Sequence, residues 1–165
     1  MNIKIEDMYG GVDLSDKLSD SEKNIYEDIH NKLIESGYIC KKGRYYYNGR
    51  GKEKVIIGIS EYNGFGIRMR LPKLPDYSSN ISELSEHVKG CILNGKDCYY
   101  QNCCFAKNNN LETCKQEYIF EYKDKQYIKC KLAYENFKFY KLSEEDIPSL
   151  IKLIDYEVAL LKTKL

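Results

Sequence analysis

Apolar residues recur first along the chain with the period of a helix. Ile25, Ile29 and Leu33 stand four apart, with Tyr26 and Ile34 beside them, so they line one face. "SDSE" at Ser19–Glu22 reads as a capping box, and Gly37 supplies a left-handed end. A helix is therefore predicted over 19–36. The period then shortens to two. In "VIIGISEYNGFGIRMRL" (55–71), Asn63-Gly64 predicts a two-residue type I′ hairpin turn. That turn pairs Tyr62 with Phe65, Ser60 with Ile67, Gly58 with Met69 and Ile56 with Leu71. It leaves Val55, Ile57 and Ile59 beside Arg68 and Arg70 on a mixed second face, expected to be partly covered. "RYYYNGRGKEK" (44–54) reads as an earlier strand with a glycine turn at Asn48–Gly51. Its "GRGK" lacks the spacing and the strand–helix setting of a phosphate loop, so it reads as a turn.

Pro72 and Pro75 end the sheet segment. A short helix follows, with Ile81, Leu84 and Val88 on one face and Gly90 as its stop. "EYIFEYKDKQYIKCKL" (117–132) predicts a second hairpin turning at Asp124-Lys125. Phe137 and Phe139 mark one side of a further strand. Ile147, Leu150, Ile151, Ile154, Val158 and Leu161 form a helical stripe. Its main helix is expected over 148–162, with Pro148 at the first position and a separate short turn before it. Strand runs separated by helices indicate an α+β fold. The expectation is one domain over 1–165, with a largely antiparallel sheet, N- and C-terminal helices packed on it and a cysteine-rich loop in the middle. Halves 18–71 and 78–162 leave room for a pseudo-two-fold layout. With its ending "FKFYKLSEEDIPSLIKLI", this layout resembles small bacterial α+β proteins, including the YdhG-like group with a frataxin-like fold. The resemblance implies a binding or accessory role in the cytosol and carries over no functional residue.

Composition narrows the classes. The 165 residues carry 26 basic and 25 acidic side chains, a net charge of +1, so no global bias points to nucleic acid or to an anionic membrane. Sixteen tyrosines and no tryptophan fit an AT-rich coding bias better than a binding surface. "MNIKIEDMYGGVDLSDKL" has no basic segment leading into an apolar one. No window approaches the ~18 apolar residues of a membrane span. The expected location is the cytoplasm, with reduced thiols and no membrane partner; nucleic acid is not expected as a partner, and a small molecule or a protein is.

The chain has seven cysteines. Cys98, Cys103, Cys104 and Cys114 crowd one polar stretch, and Cys130 follows on a strand. Three readings stand open. Cys98, Cys114, Cys130 and one of Cys103 and Cys104 supply a tetrahedral zinc quartet, giving a loop with little apolar content the stabilisation it lacks. Alternatively, Lys96, Lys107 and Lys115 lower a thiol pKa for redox chemistry. Or the cysteines are ordinary buried side chains, a role that suits Cys40, Cys91 and Cys130. His30 and His87 read as structural histidines without an orienting acid, which leaves no Cys–His nucleophile. Arg68 and Arg70, with Tyr45, Tyr46 and Tyr47 nearby, offer an anion or nucleic-acid site, against a plain solvent face with Arg68 paired to Glu61. The reading reached is a non-enzymatic binding or accessory module with a possible zinc loop. A thiol-dependent redox protein and a nucleic-acid or anion binder are the alternatives.

Overall fold

The computed structural model describes residues 15–49, 51, 54–60, 63–95, 117–130 and 136–163. Helix α1 runs Asp20–Glu35. The Ser19 hydroxyl accepts from the Glu22 N–H at 3.3 Å, and the Glu22 carboxylate accepts from the Ser19 N–H at 2.9 Å. Two of the helix's orphan donors are thus satisfied at its start. Gly37 takes φ +94° at the other end, a conformation that suits glycine. Ile25, Ile29 and Leu33 are fully buried, whereas Ile34 is 44% exposed and falls off the stripe.

Strand β1 (Tyr38–Lys41) turns through Lys42-Gly43 into β2 (Arg44–Tyr47), then β3 (Val55–Ser60) and β4 (Gly64–Arg70). After a 3-10 segment (Leu74–Glu83) come α2 (Glu86–Leu93), β5 (Glu117–Tyr122), β6 (Lys125–Cys130) and β7 (Asn136–Tyr140). A 3-10 turn (Glu144–Asp146) leads into α3 (Ile147–Lys162). A five-stranded sheet has the order β1-β2-β3-β4-β7, and β5-β6 form a second, two-stranded sheet. Every strand pair is antiparallel. The fold class is α+β. No helix among the described residues is long and apolar enough to cross a membrane.

The β3–β4 register differs from the one a two-residue Asn63-Gly64 turn dictates. Ser60 pairs with Gly64, Ile57 with Ile67 and Val55 with Met69, leaving residues 61–63 as the connection. Ser60 is buried, and its hydroxyl accepts from the Asn63 N–H at 3.3 Å. The odd shift exchanges the faces of β3. Val55, Ile57 and Ile59 now join Phe65, Ile67 and Met69 over the core, where the expected register would have put Ile56, Gly58 and Ser60. Each full aliphatic burial is worth about 2 kcal/mol, and that outweighs a local turn preference.

Three boundaries also moved. The second hairpin turns at Lys123-Asp124, both at positive φ, with Tyr122 opposite Lys125. The expected helix at 81–89 splits: Leu74–Glu83 is 3-10, and α2 restarts after Ser85, whose hydroxyl accepts from the Val88 N–H at 3.2 Å. Gly90 therefore lies inside α2. The short turn before the last helix is present as expected, with Pro148 in the first turn of α3. Asp146 joins the two helix starts. Its carboxylate accepts from the Ser85 hydroxyl at 2.6 Å and from the Ser143 N–H at 3.0 Å, while Ser149 Oγ accepts from the Ser85 N–H at 2.7 Å.

Candidate functional site

Cys98, Cys103, Cys104 and Cys114 lie outside the described residues. Cys130 is placed by its backbone, as the last residue of β6, opposite Glu117. The residue before it does unusual work. Lys129 is only 4% exposed, and its ammonium donates to the Leu93 carbonyl at 2.8 Å and the Gly95 carbonyl at 2.6 Å. A helix C-terminus exposes carbonyls that lack intrahelical partners and favours a cation, so β6 caps α2. Gly95 and Glu117, which flank residues 96–116, are therefore both tied to the last two residues of β6. Among the described residues, no group of three or more His, Cys, Asp or Glu side chains is placed to hold a metal.

The two described thiols, Cys40 and Cys91, are half-buried. Cys91 Sγ lies 4.0 Å from His87 Nε2, one helical turn away, but that nitrogen is 2.8 Å from the Tyr140 carbonyl. A carbonyl only accepts, so Nε2 carries the proton. It has no lone pair with which to take a proton from the thiol. Burial also pushes the Cys91 thiol up, which keeps it in its unreactive form. His30 is likewise structural: Nδ1 lies 2.7 Å from the hydroxyl of Tyr45, a fully buried residue. Burial first, then neighbouring Tyr26, pushes the Tyr45 hydroxyl far above its ordinary value.

Glu157 is a titratable group that the sequence pattern did not bring out. It is 3% exposed on α3. Its carboxylate accepts from the Tyr77 hydroxyl at 2.8 Å and the Lys73 N–H at 3.0 Å. Burial pushes its pKa up to about 7, against the lowering effect of those two hydrogen bonds. The available signal was its position, three after Ile154 and four before Leu161 on the apolar stripe.

Arg68 and Arg70 stand on the sheet face turned away from the helices, with different company from that expected. Lys41 pairs with Arg44, Arg44 with Ile56, Ile56 with Arg68 and Arg68 with Lys138. One register row thus crosses all five strands and reads Lys, Arg, Ile, Arg, Lys. Arg70 is one row on, opposite Asn136. Of the three tyrosines expected nearby, Tyr45 turns into the core and Tyr47 meets Tyr38 ring to ring at 5.3 Å. Alternation leaves Tyr46 on the cationic face, with Lys41 Nζ 6.0 Å from its ring centre. Glu61, the expected partner of Arg68, lies outside the described residues. Comparison of the chain with family models, with characterised proteins and with solved structures found no match.

Proposed function

We propose that the chain is a non-enzymatic, cytoplasmic binding module in which a zinc ion closes residues 96–116 at their base. The observation that carries this reading is the convergence of both flanks of that segment on Lys129 and Cys130. Cys98 follows Gly95 by three residues, and Cys114 precedes Glu117 by three. Three residues span at most ~10 Å, so Cys98 and Cys114 each lie within that reach of a flank held at the end of β6. Cys103 or Cys104 would supply the fourth thiolate, since a structural site takes four ligands. The polar run "AKNNNLET" within the segment has little to bury, and metal binding would supply its folding free energy. The state of Cys91 and His87 supports a binding role over thiol catalysis.

Metal analysis of protein purified without chelator tests the reading. About one equivalent of zinc is expected, falling below half in Cys130→Ser. Metal-free protein with unchanged melting temperature in the presence and absence of added zinc would overturn it.

A further inference from the structure

We infer that the free edge of β1 pairs with β1 of a second copy of this chain, joining two five-stranded sheets across a two-fold axis. The inference rests on strand register and is independent of the cysteine chemistry. β1 is the outermost strand of the larger sheet, hydrogen-bonded to β2 alone. Lys42 and Gly43 both take positive φ, the two-residue turn whose flanking pair, Lys41 and Arg44, closes the ladder. Bonded and non-bonded pairs alternate from there. Lys41 and Ile39 therefore aim their backbone groups at β2, as does Gly37, whose carbonyl accepts from the Asn48 N–H at 3.3 Å. Tyr38 and Cys40 aim their N–H and C=O groups outward, and these groups have no partner among the described residues.

An unpaired edge is a template for another strand, and this one is complementary to itself. An antiparallel pairing centred on Ile39 sets Tyr38 opposite Cys40 of the second copy, and Cys40 opposite its Tyr38. Each of these pairs exchanges bonds in both directions, so every outward group is satisfied. Ile39 then meets Ile39 of the second copy as a non-hydrogen-bonded pair, the arrangement in which opposed side chains lie closest. Ile39 is 49% exposed, the most exposed large hydrophobic among the described residues, and it lies opposite Tyr46 on β2. The pairing thus builds one apolar row, Tyr46–Ile39–Ile39–Tyr46, across the junction. Charge selects the same arrangement. Lys41 and Lys42 stand exposed at one end of β1, and Glu35 stands exposed at the other, at the carbonyl end of α1. Neither Glu35 nor Lys42 has an ion-pair partner among the described residues. Centring on Ile39 sets Lys41 opposite Gly37 of the second copy and carries Lys42 toward that copy's Glu35 and helix end, where a cation is favoured. A parallel pairing would set lysine against lysine, and centring on Cys40 would set Ile39 against Lys41.

The pairing engages far fewer than the roughly 20–30 residues a side of a standard interface, so it is weak, with Kd at about 0.1 mM. Sedimentation equilibrium of the full chain, with thiols kept reduced, should show monomer at about 5 µM and mostly dimer at about 1 mM. Ile39→Lys sets two ammonium groups face to face on the axis and should weaken association at least about tenfold. Ile119→Lys, at an exposed isoleucine of the other sheet, should leave it unchanged. Amide exchange reads the register itself: Tyr38 and Cys40 amides should exchange fast in the monomer and slowly in the dimer, with much smaller changes at Ile39 and Lys41. The inference is overturned by a monomer at about 1 mM, which would leave the edge to a strand of another protein. Equal weakening in the two variants, or Tyr38 and Cys40 amides that stay fast in a dimer, would place the contact elsewhere and overturn it as well. So would slow exchange of those amides in the monomer, since the chain itself would then cover the edge.

Discussion

Glu157 is a buried carboxylate whose environment moves its titration into the neutral pH range. Its folded pKa of about 7 lies above the ordinary 4.5. Between those values the folded protein keeps a proton that the unfolded chain releases. The contribution to stability is therefore complete below about pH 4.5 and is lost as the pH rises through 7, by about 3 kcal/mol at most. His30 has the opposite sign: burial lowers its pKa from 6.5, so stability is gained as the pH rises through that range. A single curve mixes the two, and a difference between variants separates them. Glu157→Gln keeps an oxygen for the Tyr77 hydroxyl and the Lys73 N–H but cannot ionise. Urea unfolding at pH 4.5, 6 and 8 should show parent and variant converging at the lowest pH, with the variant gaining steadily above it. Parallel curves would show that Glu157 does not titrate there.

Among the elements, those with an unbroken apolar stripe were legible in sequence. α1 and α3 follow from Ile25–Leu33 and Ile147–Val158, and their capping and proline signals set the ends within a residue or two. Strand existence was legible from β2 onward, and so were the hairpins β3–β4 and β5–β6, but their registers were not. Asn63-Gly64 pointed to one register, and only the volume of Val55 and Ile57 opposite Met69 and Ile67 selects the other; that comparison needs the opposing helices. β1 was missed because Lys42-Gly43 is a weak turn signal, although both residues adopt positive φ. The cationic row shares this cause, since Arg44 joins Arg68 through the β3–β4 register and Lys138 joins it through a pairing between strands far apart in sequence. The α2 cap was equally hidden, for Lys129 reads as a polar residue of an alternating strand. Removing it tests the element directly. Lys129→Met strips two hydrogen bonds from half-buried carbonyls, and bonds to a charged donor are worth about 1.5–3 kcal/mol each before desolvation is recovered. A net loss near 2 kcal/mol is expected in urea, with faster amide exchange in the last turn of α2 and little change in α1. An unaffected α2 would mean that its C-terminus does not depend on β6.

Across the whole molecule, the two sheets are held by different physics. β3 and β4 lie inside the larger sheet, with Ile57, Ile67 and Met69 at 0–1% exposure, and open only when the core opens. The β5–β6 sheet has two strands, a size that is marginal alone in water. Phe120 and Tyr122 anchor it to the core, stacking of Phe120 on Tyr127 at 5.2 Å stiffens it, and Lys129 ties it to α2. Its stability is therefore borrowed from side chains, not from ladders on both flanks. Native-state hydrogen exchange should resolve two levels, with Ile57 and Ile67 amides near the global unfolding free energy and Phe120 and Ile128 amides at least 1–2 kcal/mol below it. The zinc reading adds a directional consequence. A metal bound at Cys130 stabilises only the folded hairpin and raises its opening free energy by mass action, so chelation should lower protection in β5–β6 while leaving β1–β4 where they were. A single exchange level across both sheets would make the molecule one cooperative unit. Equal loss of protection everywhere on chelation would place the metal's effect on the global core instead of at the base of residues 96–116.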